Sequence, residues 1–400
     1  MFWTLLGRLA QALAQAGLLV LAARLGSAQM VGDLALAMAL CSPVMVVVGL
    51  QQRIVYVTDV KRRFGWTTHV RLRRWASASG VALVGLMAAT TWVPVSVGIA
   101  LAIAVDKAGE LAGDLHHATF QARGAMRLYA QSLGLRSVLG LTALGLTLAF
   151  TGSLALGLFA MAAMAWGVAA LYDAPRSKPL RMRTGTGDLA TLLAVAAPLG
   201  LVTFVDSITQ HAVRIQVDTL LGTEALGHYA VMSYGATAGG AVVFSLGTPL
   251  LRRMAKQFAE GRRAAFASTT TRLVGLSTAL GFAGVVFALL VGELFLVTVF
   301  GDEFAREASV FPWVMGAGAI QFVLGSLMHA INAAQRRRAQ PWIYVAALGT
   351  ALTVGWLRIP AHGLFGAAEA AAAGWAVATV FAGVVLHRAW RSLPPLGGGQ

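Results

Sequence analysis

The feature that most constrains this chain is a ladder of apolar stretches, each about the length of a membrane-crossing helix. Candidate spans fall near 3–23, 32–50, 75–93, 95–117, 128–150, 153–172, 189–210, 227–249, 271–294, 310–330, 341–358 and 364–386, the eleventh being short and weakly apolar. At 1.5 Å per residue, about 20 helical residues cross a hydrocarbon core ~30 Å thick. Hydrophobic residues make up 58% of the sequence and charged residues 12%, with mean hydropathy +0.72. A water-soluble chain of 400 residues could not cover that much apolar surface. The expected fold is an all-α polytopic membrane protein of about 12 transmembrane helices.

The charges fall between the spans. A net charge of +15 would suit nucleic-acid binding in a soluble chain. Here the basic residues punctuate apolar runs, so no nucleic-acid partner is expected. One set of loops holds Arg53, Lys61, Arg62, Arg63, Arg71, Arg73 and Arg74, then Arg123 and Arg127, then Arg176, Lys178, Arg181 and Arg183. The same alternation continues with Arg252, Arg253, Lys256, Arg262, Arg263 and Arg272, then Arg336, Arg337 and Arg338, then Arg388 and Arg391. The opposite loops hold Arg24 and Arg306 with the acidic Asp302, Glu303 and Glu307. The positive-inside rule therefore predicts a multi-pass membrane protein with both termini and all the basic loops cytoplasmic. The clusters 61–63 and 336–338 also suit anionic headgroups of membrane lipids. The single cysteine, Cys41, excludes an intrachain disulfide framework. Residues 1–23 contain Arg8, Gln11 and Gln15 and show no cleavage site of the Ala-x-Ala kind, so no cleavable signal is expected.

Polar residues inside the apolar runs mark the candidate site. Asp106, Glu110 and Asp114 are spaced i, i+4, i+8 and share one helical stripe. Carboxylates at mid-bilayer depth are costly and normally face a bundle interior or a watery cavity. Asp106 and Arg136 fall at similar depths on adjacent antiparallel spans, which predicts that they pair. That leaves Glu110 as the better ion-coupling candidate, with Asp114 nearer cytoplasmic water. The first span offers Arg8, Gln11 and Gln15 on one face, and the seventh offers Asp206, Gln210 and Arg214, with Asp218 one turn on. Arg8 either lines a cavity or snorkels to the interface. Arg214 and Asp218 are either functional or a structural pair. Gln321, His329 and Asn332 mark the tenth span, and His116 and His117 read as interfacial. No Walker sequence, metal-ligand spacing or nucleophile elbow appears, so neither an enzyme, a metal nor a cofactor is expected.

The proline-bearing, basic segment 173–188 reads as a cytoplasmic linker in which Pro175 and Pro179 disfavour continuous helix. It separates a six-helix bundle at 1–172 from a second at 189–386, followed by a cytoplasmic tail at 387–400. The halves share landmarks. Leu25-Gly26…Gly32 follows the first span and Leu221-Gly222…Gly227 the seventh, while His117…Arg123 closes the fourth and His329…Arg336 the tenth. Six spans is an even number, so the copies are parallel repeats.

On these residues the chain resembles the polysaccharide-transporter branch, including the Wzx-type oligosaccharide flippases, of the multidrug/oligosaccharidyl-lipid/polysaccharide flippase superfamily. The resemblance rests on Leu25-Gly26…Gly32, on Lys107…Glu110…Asp114…Gln121-Ala122-Arg123…Arg136, on Arg214…Leu226-Gly227-His228-Tyr229-Ala230 and on Phe300-Gly301-Asp302-Glu303-Phe304. It implies two pseudo-symmetric six-helix bundles in a V around a central cavity, working by alternating access. It further implies an undecaprenyl-pyrophosphate-linked oligosaccharide as substrate, H+ or Na+ as coupling ion, and a polysaccharide polymerase and other assembly proteins as partners. A cation-coupled exporter of cationic drugs from the same superfamily is the alternative. Arginines in a low-dielectric cavity suit a pyrophosphate, whereas Asp106, Glu110, Asp114 and Asp206 would suit a cationic drug.

Overall fold

The structure is a computed structural model that describes residues 2–59, 63–90, 95–181, 185 and 187–392; for Phe2, Thr4, Leu5, Arg8, Phe244, Ser245, Thr248, Pro249 and Arg337 it describes the backbone alone. Lys61, Arg62, Arg183, the side chain of Arg8 and the end of the tail therefore lie outside the described residues.

Each candidate span overlaps one helix; the sixth runs on from its helix into a π turn, and 91–93 of the third lie outside the described residues. The first unit contains α1 Phe2–Arg24, α2 Ala28–Gly49, α3 Gln52–Thr58, α4 Trp66–Ala89, α5 Val97–Ala122, α6 Met126–Thr151, α7 Leu154–Gly167 and α8 Ala174–Ser177. Then come α9 Leu189–Leu221, α10 Thr223–Ala259, α11 Arg263–Phe300, α12 Phe311–Ala333, α13 Gln340–His362 and α14 Leu364–Arg391. No strand occurs among the described residues. Among the described residues, eight helical stretches are long and apolar enough to cross a membrane by length and composition. The weakly apolar eleventh span is one of them: α13 runs a full 23 residues. By contrast α5 falls short on composition because Asp106, Lys107, Glu110 and Asp114 all sit within it.

Local chemistry sets the helix ends. Ser27 caps α2 by accepting the Met30 amide at 3.3 Å. The far end of α2 breaks at Leu50 and Gln51, both left-handed, with φ of 52° and 46°. The carbonyl of Gly49, orphaned by that break, accepts Nη1 of Arg73 at 3.0 Å. Beyond α7 the helix widens into a π turn over Val168–Asp173 and continues through α8. The expectation that Pro175 stops the helix is thus corrected. A proline ring collides with the carbonyl four residues back, here Leu171, and the wider π turn moves that carbonyl aside.

Two compact units divide the chain, Met1–Ile208 and Thr209–Gln400, with the division inside α9. In the first unit, α1 lies so close to α6 that a Cβ on Gly17 would approach Leu141 to 2.9 Å. The early part of α9 packs on the α2–α3 break through Leu192 and Ala196 against Leu50, Val55, Phe64 and Leu72. In the second unit, the backbones of α13 and α14 meet where Gly366 faces the Arg358 carbonyl and Gly374 that of Ala347. Small residues allow this approach, the usual basis of helix association in a bilayer. Ser277 and Ser326 add a buried hydroxyl pair at 2.6 Å between α11 and α12.

Candidate functional site

Inside the first unit, α1, α2, α5, α6 and α7 enclose a cavity of about 80 Å³. Its lining combines Gln11 and Gln15 from α1, Asp106, Lys107 and Glu110 from α5, and Arg136 and Ser137 from α6 with apolar walls from Leu34, Met38, Leu158 and Met161. Such a space holds several waters, each needing about 10–15 Å³ on this measure.

Glu110 is the hub. Its Oε2 takes Lys107 Nζ at 2.6 Å, and its Oε1 takes Arg136 Nη2 at 2.6 Å and the Gln11 amide nitrogen at 3.4 Å. Side-chain exposures of 24%, 19% and 21% for Lys107, Glu110 and Arg136 show a cluster screened from solvent yet open to the cavity. The predicted Asp106–Arg136 pair is therefore corrected: Arg136 reaches one helical turn further, to Glu110. A guanidinium on a long stem spans one turn, about 5.4 Å, without strain. Asp106, only 6% exposed, lines the cavity with no hydrogen bond, and no ion pair within 4.0 Å, among the described residues.

The α5 stripe continues in two directions. Asp114 pairs with Arg53 Nε at 3.3 Å, and Arg53 also donates to the Tyr129 hydroxyl at 3.4 Å. Arg53, read from sequence as a loop residue, stands on α3 and ties it to α5. On the other face, His117 Nε2 lies 2.8 Å from Ser132 Oγ and 3.7 Å from Asp173 Oδ2. His117, Ser132 and Asp173 are 4%, 1% and 1% exposed, so the interfacial reading of His117 is corrected. Gly113 admits this arrangement, since Asp173 Oδ2 lies 3.5 Å from where its Cβ would stand. His116 meets Ser177 Oγ at 2.8 Å, and Ser177 in turn accepts Arg181 Nε at 3.3 Å.

The remaining candidates have contacts of their own. On α9, Arg214 donates to Ser233 Oγ at 3.2 Å and Asp218 accepts Thr223 Oγ1 at 2.8 Å. No Arg214–Asp218 ion pair forms among the described residues. Asp206 is half-buried and Gln210 exposed on the same helix. Asn332 accepts from Gln340 at 3.0 Å, and His329 is buried against Gly247. No metal-ligating group of three side chains occurs among the described residues.

Three groups escaped the sequence reading. Lys107 entered there only as part of the family pattern, although its i, i+3 spacing to Glu110 was a usable signal. Asp173 was assigned to a linker. Ser132 carries no pattern that would single it out.

With this geometry in place, the class is defined by the fold. The chain superposes on an inward-facing multidrug-resistance MATE-family transporter of the MOP superfamily with TM-score 0.72, at 12% identity, over 96% of each chain. A Vibrio cholerae MATE transporter, VcmN, gives 0.67 at 15% identity, covering 98% of this chain and 95% of the other. A Pyrococcus furiosus MOP-superfamily transporter, described as having a binding pocket of reverse polarity that suggests a different function, gives 0.64 at 14% identity over 99% and 95%. The fold is thus that of the superfamily the sequence resembles, and the chain is a multi-pass membrane protein. Among curated proteins, the chain is similar to the Staphylococcus aureus capsular polysaccharide biosynthesis protein CapF. The two are 21% identical over 363 residues, 88% of this chain and 89% of CapF. No family model matches the chain.

Proposed function

We propose that this protein is a flippase for an undecaprenyl-pyrophosphate-linked oligosaccharide, carrying it from the cytoplasmic to the periplasmic leaflet by alternating access. The observation that carries the reading is the likeness to CapF along nearly the whole chain, on a fold otherwise seen in MATE transporters. A cavity with Lys107 and Arg136 supports it, since fixed cations in a desolvated site favour a phosphate-bearing substrate. In this reading Arg8, Gln11, Gln15, Arg136, Asp206, Gln210 and Arg214 contact substrate, and Asp106, Glu110 and Asp114 serve ion coupling with H+ or Na+. The bundles expected at 1–172 and 189–386, the linker at 173–188, the tail at 387–400 and the V-shaped central cavity belong to the same proposal. So do the bacterial inner membrane, the cytoplasmic termini, and a role with a polymerase in O-antigen, lipopolysaccharide or exopolysaccharide assembly. A drug exporter is the second reading, favoured by the MATE fold and by the free carboxylate face of Asp106.

Gene deletion separates the two. A flippase loss leaves lipid-linked repeat units in the cytoplasmic leaflet and removes the surface polysaccharide. Unchanged polysaccharide together with drug hypersensitivity would select the exporter.

A further inference from the structure

The side chains around the α2–α3 break bury polar atoms that the protein leaves unmatched. Arg73 on α4 gives Nη1 to the Gly49 carbonyl at 3.0 Å, while its Nε and Nη2 have no hydrogen-bond partner among the described residues. The same holds for both amide atoms of Gln52, both ring nitrogens of His69 and the Ser77 hydroxyl. Gln52 and His69 are fully buried, and Arg73 and Ser77 are 4% and 7% exposed. His69, Arg73 and Ser77 are spaced i, i+4, i+8 and form one stripe of α4. Two contacts lay that stripe against the break: Arg73 holds Gly49, and the His69 ring stands 5.2 Å from that of Tyr56. Gln52 lies between Gly49 and Tyr56 and one turn before Tyr56, so it faces the turn from His69 to Arg73.

Arg73 is also a charge without a counter-charge. It forms no ion pair among the described residues, which include all 16 Asp and Glu of the chain. Of the carboxylates on the elements around it, Asp114 takes Arg53 Nε at 3.3 Å, and Asp59 takes the Phe64 amide at 3.0 Å and Arg63 Nε at 3.7 Å. A guanidinium stays ionised in a protein, and a buried unpaired charge is costly. Water would satisfy its N–H groups and leave its charge unbalanced. Nε and Nη2 lie on one edge of the guanidinium and direct parallel N–H bonds outward, the arrangement that grips an anion side-on.

We propose that this buried cluster binds one small monovalent anion of the chloride kind, held in the Nε–Nη2 fork of Arg73. The Gln52 amide nitrogen and the Ser77 hydroxyl are further donors, and His69 offers whichever ring nitrogen carries its proton. One guanidinium sets the valence. Close packing sets the size: a Cβ on Gly80 would approach Val48 to 2.9 Å, and one on Gly49 would approach Leu111 to 3.1 Å, which leaves little room for a tetrahedral oxyanion. The bound anion ties α2, α3 and α4 together at the break and stabilises the folded chain by mass action. The inference goes beyond the transport reading and holds whether the cargo is a lipid-linked glycan or a drug.

The test uses the full-length protein in nanodiscs of neutral lipid, dialysed into gluconate at fixed ionic strength and pH. Radiolabelled chloride is the probe. The expected result is about one chloride bound per chain, with a melting temperature that rises with chloride concentration and levels off. Bromide should replace chloride, and sulfate, larger and doubly charged, should not. Arg73→Gln should bind no chloride and melt alike in chloride and gluconate. Arg71→Gln, on the exposed side of the same helix, should behave as wild type. Should Arg73→Gln fail to fold, Gln52→Glu takes its place. The new carboxylate supplies the counter-charge from within, so this variant should bind no chloride and should melt above wild type in gluconate. A wild type that binds no chloride, full binding by Arg73→Gln or Gln52→Glu, or equal stabilisation by sulfate would overturn the site. Chloride binding needs no transported substrate, so a failure here is separable from a failure of the deletion test above.

Discussion

At the scale of residues, Glu110 and Asp106, two of the three carboxylates of α5, have opposite jobs. Glu110 neutralises Lys107 and Arg136, so Glu110→Gln leaves two poorly hydrated cations facing each other. Breaking a buried pair from one side costs on the order of 3–5 kcal/mol, less for groups about a fifth exposed. Asp106→Asn removes no bonded partner and should melt close to wild type in detergent. The check is a side-by-side thermal melt of both variants, and a larger drop for Asp106→Asn would reverse the assignment. The stripe was legible in the sequence because charges at i, i+4, i+8 inside an apolar run have few soluble explanations. The pairing was not. Span-by-span depth locates Cα atoms, while an arginine head can settle a full turn away.

At the scale of elements, the long helices were readable from hydropathy and so was the Gly222 turn, while other devices that join them were hidden. Gly49 stands at the α2–α3 break, but the left-handed backbone falls on Leu50 and Gln51, where sequence rules expect glycine. The π turn before Pro175 is equally silent, since widening by one residue leaves composition unchanged. Glycines give a sharper test of packing. Gly366 has the Arg358 carbonyl where a Cβ would go, while Gly349 has nothing within 4 Å. Gly366→Ala should therefore push α13 and α14 apart and lower the melting temperature. Gly349→Ala should leave it unchanged or raise it, since alanine is favoured over glycine in a helix by about 1 kcal/mol. Equal effects of the two would mean that the α13–α14 approach is looser than described.

At the scale of the whole molecule, the orientation predicted from the basic loops can be read directly. In a Cys41→Ser background, single cysteines at Thr151 and Gly301 should react with an impermeant thiol reagent added to the periplasm. Those at Thr67, Gly261 and Gln335 should react only after the membrane is opened. The reverse pattern would turn the topology over. The division inside α9 bears on how the protein is made. Leu192 and Ala196 complete a core that Leu50, Val55, Phe64 and Leu72 begin, so the first unit cannot close when α8 leaves the ribosome. It stays open on one side until roughly 200 residues have been inserted, and chains truncated before α9 should be seen by quality-control proteases as unfinished.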